Sequence, residues 1–131
     1  MTTDLLCLLA LALWSIVLNH IPAIARVTAA ESPLVWGLGN RDTVPDVKPW
    51  VGRADRAQRN HHDNLAMITA VILIAQVTGQ ADEVTAIASI ALLSCRVAHG
   101  VTYIMGIPAL RSFSYAASIG ALGVIVWRIL T

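Results

Sequence analysis

Apolar residues along this chain fall into four long runs, at about 4–26, 53–79, 83–106 and 109–130. Crossing about 30 Å of hydrocarbon takes roughly 20 residues of helix, so each run predicts a membrane span. The second run opens on the polar stretch "RADRAQRNHHDN", Arg53 to Asn64, and only then becomes apolar, as "LAMITAVILIAQV". "IPAIAR" and "MGIPALR" place proline where a helix bends or a new one begins. "TGQADE", residues 78–83, is a tight turn that cannot continue the apolar pattern. Residues 27–52 are different: proline, glycine and scattered charge make a long connection, a kind of segment that often carries function. Trp36 and Trp50 within it fit an aromatic belt at the headgroup level.

Composition supports the membrane assignment. The 131 residues are 56% hydrophobic and 13% charged, against about 25% charged in soluble domains. The expected architecture is all-α, a single domain over residues 1–131. A net charge of +1 argues against a nucleic-acid partner. Cys7 and Cys95 both lie inside apolar runs, where a thiol packs as a small hydrophobe, and no disulfide is expected between them. The N-terminal run lacks a basic leader and is too long for a signal peptide's apolar region, so it is expected to be a retained helix.

Orientation follows from Lys and Arg. The connection into the second span, with that span's polar opening, carries Arg26, Arg41, Lys48, Arg53, Arg56 and Arg59, whereas the turn between spans two and three carries neither residue type. The long connection is therefore expected in the cytoplasm, with both termini outside; Arg128 alone dissents. Nearly every ionisable residue of the spans then falls in the cytoplasmic half. Arg56, Asn60 and Asp63 are spaced i, i+4, i+7 on one helical face; Arg96, His99 and Tyr103 are spaced i, i+3, i+7; Arg111 and Tyr115 are i, i+4. Each helix thus offers one polar stripe to a common interior.

Asp63 lies about ten residues into helix two, roughly 15 Å at 1.5 Å per residue, and Arg96 lies at a similar depth in helix three. An unpaired charge at the bilayer centre costs at least ~2.5–3.5 kcal/mol, so an Asp63–Arg96 ion pair is expected. Arginine forks, a histidine, two phenols and Ser112 make a site for an anion, one bearing carboxylates. Helix N-termini add positive dipole ends. The bland alternative for Arg53 and Arg59 is snorkelling to lipid headgroups. The His61–His62 pair resembles a metal handle, but neighbours on a helix point about 100° apart and no further ligand completes a set, so no metal is expected. His20 suits a helix-end hydrogen bond better than a ligand role.

These motifs resemble those of MAPEG, the membrane-associated proteins in eicosanoid and glutathione metabolism. The family's R-x-x-R-A-x-x-N-x-x-E pattern is matched by "RADRAQRNHHD" at all but its last position, its R-x-x-H-x-x-x-Y pattern by "RVAHGVTY", and its R-S-x-x-Y pattern by "RSFSY". The connection looks like that of bacterial members, which implies a multi-pass protein of the bacterial inner membrane. The resemblance further implies a left-handed, up-down four-helix transmembrane bundle assembling as a homotrimer, with glutathione as co-substrate near the cytoplasmic face. Carried over by position, Arg56, Asn60 and Asp63 hold the tripeptide, His99 and Tyr103 support it, and Arg111, Ser112 and Tyr115 complete the pocket. Arg53 and Arg59 are expected among the glutathione-binding residues, as is Arg26, which matches the helix-one arginine loosely.

The implied activity is a thiol-dependent transferase or peroxidase acting on a lipophilic electrophile that arrives from the membrane lipid. Arg111 and Ser112 are the expected catalytic pair, stabilising the thiolate. Two residues depart from the family pattern. Asp63 stands for glutamate, and Asp55 adds a negative charge that either weakens anion binding or orients Arg59. Two other classes of function remain: a catalytically silent membrane protein that binds lipid or a partner, and a small four-span transporter.

Overall fold

A computed structural model describes all of residues 1–131. It contains five helices and no strand: α1 (Thr3–Ala29), α2 (Pro33–Leu38), α3 (Pro49–Val77), α4 (Glu83–Met105) and α5 (Pro108–Leu130). Local chemistry sets most of these ends. Pro49 and Pro108 each occupy a first-turn position, where the missing N–H costs nothing. Asp82 and Thr85 form a reciprocal capping box at the start of α4. Gly106 ends α4 in the left-handed region, at φ 77°. Two details differ from expectation. α1, which contains Pro22 as expected, continues three residues further to Ala29, and the long connection contains the short helix α2.

Three helices are long and apolar enough to cross a membrane: α1, α4 and α5. α3 is longer still at 29 residues, yet falls short of that standard because its first half carries the Arg53–Asp63 charges. Its apolar part, Leu65–Val77, spans only about 20 Å at 1.5 Å per residue. The polar half must therefore be sheltered by neighbouring helices.

Pairwise contacts define the arrangement. Leu11 meets His61 and Arg26 meets Asp55, so α1 and α3 are antiparallel. His99 meets Arg111 and Asp82 meets Arg128, so α4 and α5 are antiparallel too. Asp4 meets Ser89 and Trp14 meets Gly100, so α1 and α4 are parallel. α3 and α4 touch all three other long helices, while α1 and α5 do not touch each other. The apolar core of Leu11, Ile68, Ile72, Ala75, Ala88, Leu92, Leu122 and Ile125 fills the half away from the arginines.

Only 24 of 131 residues are buried, and large apolar side chains such as Leu13, Ile16, Ile87 and Trp127 stay more than half exposed. Burying apolar surface is the main drive of folding in water, at about 25 cal/mol per Å². A surface of this kind on spanning helices belongs against lipid hydrocarbon, as an integral membrane protein.

Candidate functional site

At the arginine-rich end, α3, α4 and α5 form an open cavity of about 260 Å³ lined by Asn60, His99, Tyr103, Arg111, Ser112 and Tyr115. Helical phase brings them together. Asn60 sits at the edge of the α3 face whose centre is Ala57, His61 and Ile68; His99 is buried on α4; Arg111 and Ser112 lie in the opening turns of α5. Pro108 starts that helix, so its free amide N–H groups and positive dipole end point toward the cavity end of the molecule.

The aromatic and cationic groups interlock. The His99 ring stands edge-on to Tyr103 at 5.5 Å and tilted to Tyr115 at 5.6 Å between centroids. The Arg111 guanidinium lies 4.9 Å from the centre of the Tyr103 ring, and that of Arg96 lies 5.9 Å from Tyr115. His99 Nδ1 donates to Arg111 O at 2.9 Å. A carbonyl only accepts, so this bond places the proton on Nδ1 and leaves Nε2 of the neutral ring as an acceptor. That Nε2 is buried without a partner, as are Asn60 Oδ1 and the Nε and Nη1 groups of Arg96. Ser114 and Ser118, by contrast, direct their hydroxyls to Leu110 O and Tyr115 O.

The expected Asp63–Arg96 pair does not form within the chain. Arg96 is 1% exposed and donates from Nη2 to Asn60 O at 3.2 Å, while Asp63 is exposed. The reason is helical phase. His61 and Asp63 are two residues apart, about 200° of rotation, so they occupy opposite faces, and His61 holds the inward one. His61 Nε2 donates to Leu11 O at 3.1 Å, and Nδ1 is left buried without a partner. His62 contacts Ser15 Oγ at 2.6 Å. The two histidines thus join α3 to α1 at separate points, and no group of three or more His, Cys, Asp or Glu side chains is placed to hold a metal.

The remaining arginines divide. Arg26 grips both carboxylate oxygens of Asp55, with Nη1 at 2.9 Å from Oδ1 and a second bond from Nη2 to Oδ2. Asp55 therefore orients Arg26, not Arg59. Arg53 donates from Nε to Ile104 O at 2.9 Å and packs under Gly106. Arg56 and Arg59 are exposed beside the cavity and line no part of it. Cys7 and Cys95 are free thiols. A larger hollow of about 830 Å³ lies within the connection from Ala29 to Asp46 and contains none of the motif residues.

At the far end, Arg128 pairs with Asp82 through Nε at 2.6 Å. This contact holds the Asp82 carboxyl below its usual pKa, with the Thr85 N–H assisting. It also accounts for the one arginine that opposed the charge rule, since Arg128 is matched by an acid of its own. The buried Asp4 accepts from Ser89 Oγ at 2.8 Å, a contact for which no sequence spacing gave a signal.

The cavity is lined by residues of all three polar motifs, and a family comparison agrees with that grouping: the model of the MAPEG family matches residues 4–131. The chain belongs to the MAPEG family. Among curated proteins and among solved structures, nothing matches this MAPEG chain. Residues of the motifs converge from α3, α4 and α5 on one pocket, with Arg53, Arg56, Asp63 and Arg96 outside its lining.

Proposed function

We propose that this MAPEG protein is a glutathione-dependent membrane transferase or peroxidase that conjugates or reduces lipophilic electrophiles. The observation that carries the reading is the cavity that joins Arg111 and Ser112 to Asn60, His99, Tyr103 and Tyr115. The orphaned acceptors His99 Nε2 and Asn60 Oδ1 suit the amide and ammonium N–H groups of a peptide. Arg111, a pocket cation with no carboxylate partner in the chain, suits a carboxylate of that peptide, while Arg96 lies outside the lining, 5.9 Å from the Tyr115 ring.

A free thiol near pKa 8.5 is mostly protonated at neutral pH, and only the thiolate attacks. Arg111, beside the sulfur, favours the charged form, and the Ser112 hydroxyl donates to it. Conjugation then forms a carbon–sulfur bond as the leaving group departs with its electron pair. In peroxide reduction the thiolate takes one oxygen, the O–O bond breaks to give an alcohol, and a second thiol yields disulfide and water.

At about 260 Å³ the cavity is smaller than the ~300–1,000 Å³ of ordinary ligand sites. Arg56, Arg59 and Asp63 stand exposed beside it. Both features fit a site closed by a neighbouring subunit; a left-handed four-helix bundle in a homotrimer, with the connection on the cytoplasmic side, is the arrangement proposed from family membership. Arg26 and Arg53, held by Asp55 and Ile104, border the site as struts.

Glutathione should raise the melting temperature of the detergent-solubilised protein and give a calorimetric binding isotherm, more strongly than other thiols. Absence of both effects would remove the basis of the reading. A transporter is favoured by one observation, the exposed and unpaired Asp63 on a membrane helix. Proton-driven transport in vesicles, abolished by Asp63→Asn, would establish that alternative.

A further inference from the structure

Between α1 and α3 the chain makes a compact excursion, residues 30–48, that the candidate site does not use. Trp36 Nε1 donates to Thr43 O at 2.6 Å, and Arg41 donates from Nη2 to Gly37 O at 3.0 Å. The Arg41 guanidinium also lies 5.4 Å from the centre of the Trp36 ring. Arg41 accepts a left-handed backbone, φ 58°, to reach this position. The excursion has a held shape.

Its depth follows from its one packing partner. α2 touches α1 alone, and a Cβ on Gly37 would lie 3.7 Å from Val27 Cγ2. Val27 is the residue after Arg26, whose grip on Asp55 marks the level of the polar lip. α2 therefore folds back to lip depth, where Leu34, Val35 and Leu38 are 77%, 75% and 86% exposed. The outward apolar stripe of α1, including Leu13, Ile16 and Ile24, leads up to the same level. α2 thus presents exposed apolar side chains at the level where the exposed stripe of a spanning helix ends. Trp36, apolar in body and polar at one edge, suits the interface.

Charge decides which lipid chemistry matters. Glu31, Asp42 and Asp46 outnumber Arg41 and Lys48 over the excursion, three to two. Such a segment gains no attraction from anionic headgroups, so apolar burial must hold it. We infer that α2 is an interfacial anchor whose Leu34, Val35 and Leu38 side chains insert at the headgroup–acyl boundary of the leaflet at the candidate-site end. The anchor is independent of anionic lipid and of the proposed chemistry.

Site-directed spin labelling tests this in phosphatidylcholine proteoliposomes. Labels enter at Leu34→Cys, Leu38→Cys and Asp42→Cys in a Cys7→Ala, Cys95→Ala chain. Oxygen accessibility should exceed that of a water-soluble nickel chelate at 34 and 38, with the order reversed at 42. Added salt or anionic lipid should leave the pattern unchanged. Nickel accessibility at 34 and 38 would overturn the anchor in favour of a water-exposed segment. Shielding from both reagents with spin–spin broadening would overturn it in favour of a second copy of the chain, and insertion only with anionic lipid would overturn the apolar mechanism. The native-cysteine chain gives a second reading: the emission lost on Trp36→Phe should be quenched by phosphatidylcholine brominated near the headgroup. Lack of that quenching overturns the inference whether or not the cysteine-free chain folds.

Discussion

The two ends of the helix assembly treat polar groups in opposite ways. At the far end nearly all are matched inside the chain: Asp82 caps α4 and pairs with Arg128, and Asp4 accepts from Ser89, with Gln76 Nε2 the exception. At the arginine-rich end Arg26 and Arg53 find partners in Asp55 and Ile104 O, but a cluster of other groups does not. Arg96 Nε and Nη1, His99 Nε2, His61 Nδ1 and Asn60 Oδ1 are buried without partners. Unmatched buried polar groups cost about 1–3 kcal/mol each, so water, a ligand or a neighbouring subunit that supplied partners would be bound preferentially at this end. Polar residues that only hold helices in register have no need to stay unmatched.

The contrast can be broken in four ways. The largest effect is expected from Arg111→Ala, which should lower glutathione conjugation or peroxide reduction by about 10²–10³-fold, the size typical of losing one charge-stabilising donor. Oligomeric state by size exclusion should not change. Retained activity would place the chemistry elsewhere. Next comes Arg96→Leu, which removes a buried cation that has no carboxylate partner. The melting temperature without ligand should hold or rise, while stabilisation by glutathione is lost. An unfolded variant would show that the charge is matched after all.

Gly100→Ala probes the packing that supports His99. An added Cβ would sit 3.0 Å from Trp14 Cζ2 and 3.3 Å from Leu18 Cδ2, so both side chains would have to give by a few tenths of an ångström. A loss of about 1–3 kcal/mol is expected, as for overpacked cores generally; denaturation of the detergent-solubilised protein measures it. The smallest effect belongs to the far end. The Asp82 carboxyl has its pKa lowered by Arg128, so its stabilising contribution is complete above the ordinary aspartate value of about 3.9. It is lost as pH falls through the lower folded-state value. Asp82→Asn should therefore flatten the acid limb of a melting-temperature profile and leave glutathione binding untouched.

Much of this site was legible in the chain because the motifs on α4 and α5 are short-range. His99 and Tyr103, and Arg111, Ser112 and Tyr115, each sit within about one turn of one another, and all five line the cavity. The α3 stripe was less transparent. Arg56, Asn60 and Asp63 share a face, but only the Asn60 edge meets the cavity, while the core-facing position belongs to His61. Spacing shows which residues travel together on a helix; it does not say how far that helix is rotated against its neighbours.

Periodicity, prolines and the 78–83 turn were sufficient for the helical class, the four long helices and the polar end, because these depend on contacts within a few residues. Partner choice was not local. Asp55 with Arg26, Asp82 with Arg128, and the exposure of Asp63 away from Arg96 each rest on the rotation and depth of separate helices. A rotation of two residues, about 200°, exchanges a core position for a lipid-facing one. The local pattern leaves that angle open; packing of α3 against α1 and α4 closes it.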